Sequence, residues 1–215
     1  MSTTHIYIVR HGQSEGNLHN AFLGHTDLDL TELGHKQAEL TADYLDNISF
    51  DAIYSSDLLR AYNTGKHTAD RKGLPIIKSE RLREIFAGEW ENKTFDALER
   101  EYYDDFTVTW KKDIGHARCT GGESVEELQN RFVPEVERIA KENEGKTIAI
   151  FTHATPIRVL KAAIDGISLD ELMQVPWAGN ASVTHVVVED GKFSITEYGV
   201  NHFLGEFATV LSQKV

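Results

Sequence analysis

Residues 5–12 read His-Ile-Tyr-Ile-Val-Arg-His-Gly, a short apolar run that ends abruptly in a cation and a histidine. Short apolar runs rich in β-branched and aromatic residues are typical of buried strands. Residues 147–153, Thr-Ile-Ala-Ile-Phe-Thr-His, repeat this arrangement. Ligands bind outside the carboxyl ends of strands in open α/β sheets. If the two strands are parallel and adjacent, His11 and His153 face one crevice, although either histidine alone is equally compatible with a surface position.

Strand-like and helical patterns alternate along the rest of the chain, which predicts an α/β fold. We expect a three-layer α/β/α sandwich around a mainly parallel sheet, with a small helical cap inserted over the active site. The expected strands are 5–9, 51–55, a short piece around Pro75-Ile76-Ile77, 147–151, and a closing hairpin of 181–188 and 192–198 that turns at Asp190-Gly191.

The expected helices carry recognisable start signals. They are 31–47 with Thr31 as N-cap, 57–72 carrying Arg60, one opened by the capping box of Ser124 and Glu127, and one that starts at Thr155-Pro156 with Pro156 in the first helical position. Pro134 lies inside the third of these helices and is expected to kink or interrupt it, because proline lacks a backbone donor.

Residues 94–115 are rich in aromatic and charged side chains, and we interpret them as short helices over one end of the sheet. They form most of the predicted cap, about residues 86–120. The chain shows no internal repeat, low-complexity tract or linker, so residues 1–215 are treated as a single domain.

The acidic composition narrows the choice of partners. The formal net charge is −12, which repels nucleic acid and anionic membranes, so neither is expected as a partner. Any site for a phosphate ester must therefore be locally basic. No apolar run approaches the roughly 20 residues that cross a bilayer. The N-terminus lacks a signal-peptide pattern, so we predict a cytoplasmic location.

The single cysteine, Cys119, excludes an intrachain disulfide and agrees with a reducing compartment. His116 and Cys119 form one His-x-x-Cys pair without a second half, so no metal site is expected. The acidic residues form no Asp-rich cluster either.

The segment 10–17, Arg-His-Gly-Gln-Ser-Glu-Gly-Asn, combines groups suited to phosphate. Arginine offers a fixed fork of donors, glycines allow close backbone approach, and the Asn17 amide can donate. A neighbouring cation keeps His11 neutral, and a neutral imidazole can attack phosphorus. The two glycines alone would fit an ordinary loop equally well.

The same segment resembles the signature of the histidine phosphatase superfamily, also called the phosphoglycerate mutase-like family. The resemblance runs from residue 6 to about 204. It continues through Phe22-Leu23-Gly24, residues 29–34 and 54–61, Leu82-Arg83-Glu84, Gly88-Glu89-Trp90-Glu91, Gly121-Gly122-Glu123-Ser124 and Thr152-His153.

This resemblance implies a role for each matching residue. His11 would be the phosphorylated nucleophile, with Arg10, Arg60 and His153 around the phosphate. Glu84 would protonate the leaving alkoxide and then activate water. Gln13, Asn17, Leu23, Gly24 and Ala154 would provide further substrate contacts. No cofactor is implied.

Four places depart from the usual pattern of the family. Gln13 replaces a frequent glutamate, and Ala154 follows the second histidine where glycine is usual. Asn92 stands where glycine often follows the Trp-Glu pair, and Phe86-Ala87 departs from the usual order before Gly88. None of them removes a charged group that the mechanism needs.

The resemblance favours a metal-independent phosphomonoesterase that acts on a small phosphorylated metabolite through a phosphohistidine. The alternative is a phosphoglycerate mutase that uses the same intermediate. The glycolytic mutases carry a longer basic insertion, whereas residues 102–120 here offer only Lys111, Lys112 and Arg118. A catalytically inactive phosphate-binding or interaction module is a third hypothesis, opposed by the presence of all five catalytic candidates. The sequence leaves the oligomeric state open.

Overall fold

A six-stranded sheet runs through residues 2–209, the part of the chain that this computed structural model describes. In chain order its strands are β1 (Thr3–Arg10), β2 (Ala52–Ser55), β3 (Ile76–Lys78), β4 (Thr147–Thr152), β5 (Val183–Glu189) and β6 (Lys192–Val200). Their order across the sheet is β3-β2-β4-β1-β5-β6. The first four positions in this order pair in parallel, and β5 and β6 add an antiparallel edge.

The central strands β1 and β4 end side by side. Their parallel register pairs His5 with Thr147 and continues to Arg10 with Thr152. The residue that follows each strand is a histidine, so the two histidines leave the sheet at the same edge. The adjacency expected from the sequence is confirmed.

Helices pack on both faces of this sheet, as the alternation of side chains along the strands requires. In chain order they are α1 (Glu15–Leu18), α2 (Glu32–Tyr44), α3 (Leu59–Lys72), α4 (Phe95–Glu101), α5 (Val125–Glu142) and α6 (Ala154–Asp165). Ile6 and Ile8 of β1 join the cluster that holds the buried sides of α5 and α6. Val9 packs in a second cluster, which includes Ala69 of α3. Two cores on opposite faces confirm the three-layer sandwich.

The predicted helix starts are confirmed at two positions and shifted at two others. The helix expected over 57–72 begins at Leu59. Thr31 caps α2 by accepting from Gly34 N at 3.0 Å, and Ser124 opens α5 in a capping box with Glu127. Pro156 is the third residue of α6, because the helix already begins at Ala154. The first turn has no intrahelical acceptors for its N–H groups, so proline is tolerated there as well.

The predictions for two helices were wrong in part. The helix expected over 31–47 ends at Tyr44. The helix α5 runs from Val125 to Glu142 without interruption at Pro134. Pro134 is on the exposed side of α5, where water can satisfy the carbonyl that the proline leaves free. The buried side, which includes Phe132 and Val136, holds both halves against the sheet.

Residues 94–115, which were predicted as short helices, fold into short helical elements, and residues 86–120 together enclose an aromatic cluster. The elements are a 3-10 turn (Gly88–Trp90), α4, a π-helical segment (Tyr103–Trp110) and a second 3-10 turn (Ile114–His116). Trp90 and Trp110 are buried there and meet edge to face, with ring centroids 5.8 Å apart. Within residues 2–209, no helix is both long and apolar enough to span a bilayer.

Candidate active site

His11 follows β1 directly and is 4% exposed. Its ring Nδ1 lies 2.7 Å from the carbonyl oxygen of Gly12, and its backbone N–H donates to Thr152 at 3.0 Å. A carbonyl can only accept, so the proton of the neutral ring is on Nδ1. The other nitrogen, Nε2, therefore carries a free lone pair.

The surroundings of His11 keep its imidazole neutral. Burial lowers the pKa of His11 well below its usual value, and the positive charges of Arg60 and Arg10 lower it further. The hydrogen bond to Gly12 acts in the opposite direction and is the smaller effect. A buried, neutral histidine beside two cations is suited to nucleophilic attack.

Arg60 is held by a loop that comes before it in the sequence. It lies on α3 and is 1% exposed, and its Nη1 and Nη2 donate to the carbonyls of Thr26 and Gly24 at 2.8 and 2.7 Å. Gly24 adopts φ +52°, which directs the chain through this close contact. Both ends of the guanidinium are thereby fixed.

Arg10, the last residue of β1, is also buried. Its Nη1 donates to the carbonyl of Ala178 at 2.6 Å, while its buried Nε has no hydrogen-bond partner among the described residues. Burial lowers the pKa of Arg10 and of Arg60 to about 10, and the nearby Glu84 carboxylate acts against this shift. Both side chains therefore remain cationic near neutral pH, in a protein whose net charge is −12.

His153 is fully buried and caps the start of α6. Its Nε2 lies 2.9 Å from Ser56 Oγ, and its buried Nδ1 has no partner among the residues described. Its ring centroid is 5.2 Å from that of His11. Burial, followed by the charge of Arg60, lowers the pKa of His153 well below its usual value. His153 is not among the residues that line the cleft, and it contacts the site through its ring contact with His11.

Glu84 borders the same cleft from a segment without regular structure. Its Oε1 accepts from the backbone N–H of Ile85 at 2.8 Å, and its Oε2 accepts from Thr155 at the start of α6 at 3.3 Å. The side chain is half-buried. A carboxyl group with this access to the cleft can exchange protons with a bound ligand or with water.

Asn17 contributes an amide donor. Its Oδ1 accepts from the backbone N–H of Ser14 at 3.1 Å and from the side-chain amide of Asn180 at 3.0 Å. With its oxygen engaged on both sides, Asn17 has its Nδ2 left for a ligand. Leu23, Gly24 and Ala154 also line the cleft.

The structure does not bring Gln13 into the cleft. Its side-chain Oε1 accepts from Thr31 Oγ1 at 2.8 Å, and its backbone N–H donates to Gln37 at 2.8 Å. Thr31 is the N-cap of α2, and Gln37 lies in the second turn of that helix. Gln13 thus joins the loop after His11 to this helix, and its neutral amide suits that contact.

The cleft joins these polar groups to an aromatic wall. Its lining consists of Arg10, His11, Ser14, Asn17, Ala21, Phe22, Leu23, Gly24, Arg60, Glu84, Phe95, Trp110, Ala154, Thr155 and Trp177. The sequence region predicted as a cap contributes Phe95 and Trp110. One end of the cleft is therefore cationic and the other is largely apolar.

Sequence reasoning missed the loop 176–180, which completes the site. Ala178 anchors Arg10, Trp177 lines the cleft, and Asn180 donates to the carbonyls of His11 and Gly12 at 3.2 and 3.3 Å. Ser56, the partner of His153, lies in the segment 54–61, and the sequence indicated no role for it. The loop carries no motif of its own, so only its tertiary position identifies it.

Cys119 lies outside this arrangement of residues. Burial raises the pKa of the Cys119 thiol well above its usual value, which disfavours the nucleophilic thiolate. Between residues 2 and 209, no three His, Cys, Asp or Glu side chains are grouped so as to hold a metal ion.

Comparison with known proteins places this geometry in context. A family model for the histidine phosphatase superfamily, branch 1, matches residues 6–201. Phosphoserine phosphatase 1 of Hydrogenobacter thermophilus is 32% identical over 202 residues, which cover 94% of this chain and 95% of that protein. The 2,3-bisphosphoglycerate-dependent phosphoglycerate mutase of Cytophaga hutchinsonii is 32% identical over 180 residues, which cover 82% and 84%. The solved structure of Bacillus stearothermophilus YhfR superposes with a TM-score of 0.86 at 32% identity, covering 93% of this chain and 99% of that one.

Proposed function

This chain belongs to the histidine phosphatase superfamily, branch 1, and from that premise we propose that it is a metal-independent phosphomonoesterase with His11 as its nucleophile. Its relatives are phosphatases and mutases, so the chain is an enzyme of this phosphoryl-transfer family. The observation that carries the proposal is the free Nε2 of a neutral, buried His11 in a cleft shared with Arg10 and Arg60.

In the proposed first step, His11 Nε2 attacks the phosphorus of a bound monoester. The N–P bond forms as the ester P–O bond breaks, and the electron pair leaves with the alkoxide. Glu84 gives that alkoxide its proton. Arg10 and Arg60 donate to the equatorial oxygens, whose negative charge must be held in place during transfer. His153, neutral and with Nδ1 free, adds a hydrogen bond.

In the second step, water replaces the departed alcohol. Glu84, now a carboxylate, takes a proton from the water as its oxygen attacks phosphorus. The N–P bond breaks, inorganic phosphate leaves, and His11 regains its lone pair. Each group returns to its starting protonation state, so the cycle needs no further reactant.

The cap, which we place at about residues 86–120, favours hydrolysis over a mutase reaction. Recognition of a phosphoglycerate carboxylate calls for a cation beyond the phosphate site. Lys111 is paired with Glu99, Arg118 is paired with Glu127, and neither cation lines the cleft. The cap instead presents aromatic side chains.

A purely binding role is supported less well. All five groups of the mechanism, His11, Arg10, Arg60, Glu84 and His153, line the cleft or touch those that do. A chain that kept only phosphate binding would have no need for an unprotonated nitrogen or a carboxyl group beside the phosphate. The substrate that this arrangement supports is a small phosphorylated metabolite.

The first experiment is phosphate release from a panel of monoesters, with and without EDTA, by the wild type and by His11→Ala. The panel includes phosphoserine and 3-phosphoglycerate, which the names of the relatives suggest. The matched control is His67→Ala, which removes a half-buried histidine of α3 outside the cleft. We expect release that is unaffected by EDTA, kept by the control and lost in His11→Ala.

Two outcomes would contradict the proposal. Substantial release by His11→Ala would exclude His11 as the nucleophile, and an EDTA-sensitive rate would indicate a metal. If the wild type releases no phosphate, interconversion of 2- and 3-phosphoglycerate with a bisphosphate primer tests the mutase alternative directly.

A further inference from the structure

Glu84 lies in a part of the chain that no helix or strand holds in place. Residues 83–87 connect one 3-10 turn, Glu80–Leu82, with the next, Gly88–Trp90. The backbone carbonyls of such a segment need donors from elsewhere, because buried or half-buried carbonyls are rarely left unpaired. The carbonyls of Phe86 and Ala87 accept from the backbone N–H groups of Glu123 and Trp90, but those of Arg83 and Glu84 accept from side-chain donors.

Arg131 of α5 supplies most of them. Its Nη1 donates to the carbonyls of Arg81 and Arg83 at 2.8 and 3.2 Å, and its Nη2 donates to the carbonyl of Glu84 at 3.1 Å. One planar guanidinium thus contacts three carbonyls in a stretch of four residues. His25 donates its Nε2–H to the Glu84 carbonyl at 2.8 Å from another side.

Glu123 fixes that guanidinium in turn. Its two carboxylate oxygens accept from Nε and Nη2 of Arg131, both at 2.9 Å. Glu123 also contacts the segment itself, since its Oε2 accepts from Phe86 N at 3.1 Å and its backbone N–H donates to Phe86 O at 2.9 Å. The side chains of Arg131 and Glu123 are only 20% and 14% exposed. A two-point pair at this depth is more rigid than a surface ion pair.

We propose that Arg131 and Glu123 are positioning residues for Glu84 and set the direction from which its carboxyl group reaches the leaving oxygen. This inference rests on the proposed function, in which Glu84 is the general acid. It assigns a role to Glu123 in the Gly-Gly-Glu-Ser motif, and it includes Arg131, which no motif identified. Neither residue lines the cleft, so both act through the Glu84 backbone.

The inference predicts a dependence on the leaving group. A phenolic leaving group such as p-nitrophenolate departs without a proton, whereas an alkoxide needs one. A displacement of about 1 Å in a reacting group can cost about 10²-fold in rate. Because hydrolysis of the phosphohistidine also uses Glu84 and is common to all esters, the readout is kcat/KM, which reports the steps up to release of the alcohol. We therefore expect Arg131→Met to lower kcat/KM for an alkyl phosphate by about 10- to 100-fold and for p-nitrophenyl phosphate by less than about threefold.

The test compares kcat and KM on both esters for the wild type, Arg131→Met and Glu123→Gln. Arg138→Met is the matched control, since it removes another ion-paired arginine of α5 on the solvent side. Each variant is then combined with Glu84→Gln. If Arg131 acts through Glu84, the Arg131 variants should lose no further activity on the alkyl ester in the Glu84→Gln background, because the glutamine at position 84 has no acidic proton to give. Arg131→Lys, which keeps the charge but not the fork, replaces Arg131→Met if the latter does not fold.

Several results would overturn the inference. The first is an equal loss of kcat/KM on both esters. The second is a loss of kcat/KM that persists in full in the Glu84→Gln background, and the third is a control variant, Arg138→Met, that loses activity on the alkyl ester selectively. Failure of the proposed function is a separate result: phosphate release from p-nitrophenyl phosphate would then survive His11→Ala, whatever the Arg131 variants do.

Discussion

Acidification should lower the free energy of unfolding, and part of this decrease should come from His11. A single substitution of His11 can measure that part. Burial, with the charges of Arg60 and Arg10, holds the pKa of this imidazole well below its usual value. The unfolded chain has an ordinary histidine at this position and takes up a proton as the pH falls. Because the unfolded state then binds more protons than the folded state, stability decreases with falling pH.

Linkage gives the size of this effect from the pKa of the unfolded state alone. With an unfolded pKa of about 6.5 and a folded His11 that stays neutral, protonation stabilises the unfolded chain at about pH 5 by RT ln(1 + 10^1.5), about 2 kcal/mol. At about pH 7.5 the same expression gives only about 0.1 kcal/mol. The wild type should therefore lose about 2 kcal/mol over this range relative to a variant without the titrating group.

The assay is urea unfolding of the wild type and His11→Asn, followed by the fluorescence of the three tryptophans at both pH values. Other titrating groups cancel in the difference between the two proteins. His116→Asn is the control with the opposite sign, because the hydrogen bond that exposed His116 donates to the Asp113 carboxylate raises the pKa of His116. That contribution is present at low pH and is lost as the pH rises through the folded pKa. If His11→Asn shifts stability equally at both pH values, then His11 titrates normally in the fold and the argument for a neutral nucleophile fails.

Two further predictions concern the geometry of the site. Arg60→Lys should lower kcat/KM by about 10²-fold, because an ammonium cannot span the two loop carbonyls and also present a fork of donors to a phosphate. Steady-state kinetics beside Arg71→Lys checks this, and a loss below about threefold would contradict it. Gly88→Ala should cost at least about 2 kcal/mol of stability, because Gly88 has φ +56° and a Cβ there would meet Thr120 O at 2.4 Å. Gly73→Ala, at φ +64° in open space, should cost about 1 kcal/mol, and equal costs by urea unfolding would remove the steric argument.

The elements with a short-range signal could be read from the sequence. Short continuous apolar runs predicted β1 and β4, and the residues that follow these runs, His11 and His153, predicted where a site would form. Thr31 and Ser124 marked the starts of α2 and α5 through their own side-chain hydrogen bonds. These signals lie within a few residues of the element that they specify, so they can be recognised in the sequence before the tertiary structure is known.

The tertiary structure decided what depends on residues far apart in the chain. Whether Pro134 breaks α5 depended on which side of the helix faces water. Whether Gln13 reaches the cleft depended on Thr31, 18 residues away. The partners of Arg10 and Glu84, Ala178 and Arg131, lie 168 and 47 residues from them and carry no local pattern. Hydrophobic periodicity and helix caps depend on interactions between residues that are close in the chain, so the sequence shows them directly. The orientation of a catalytic side chain depends instead on distant residues that the fold brings within hydrogen-bond distance.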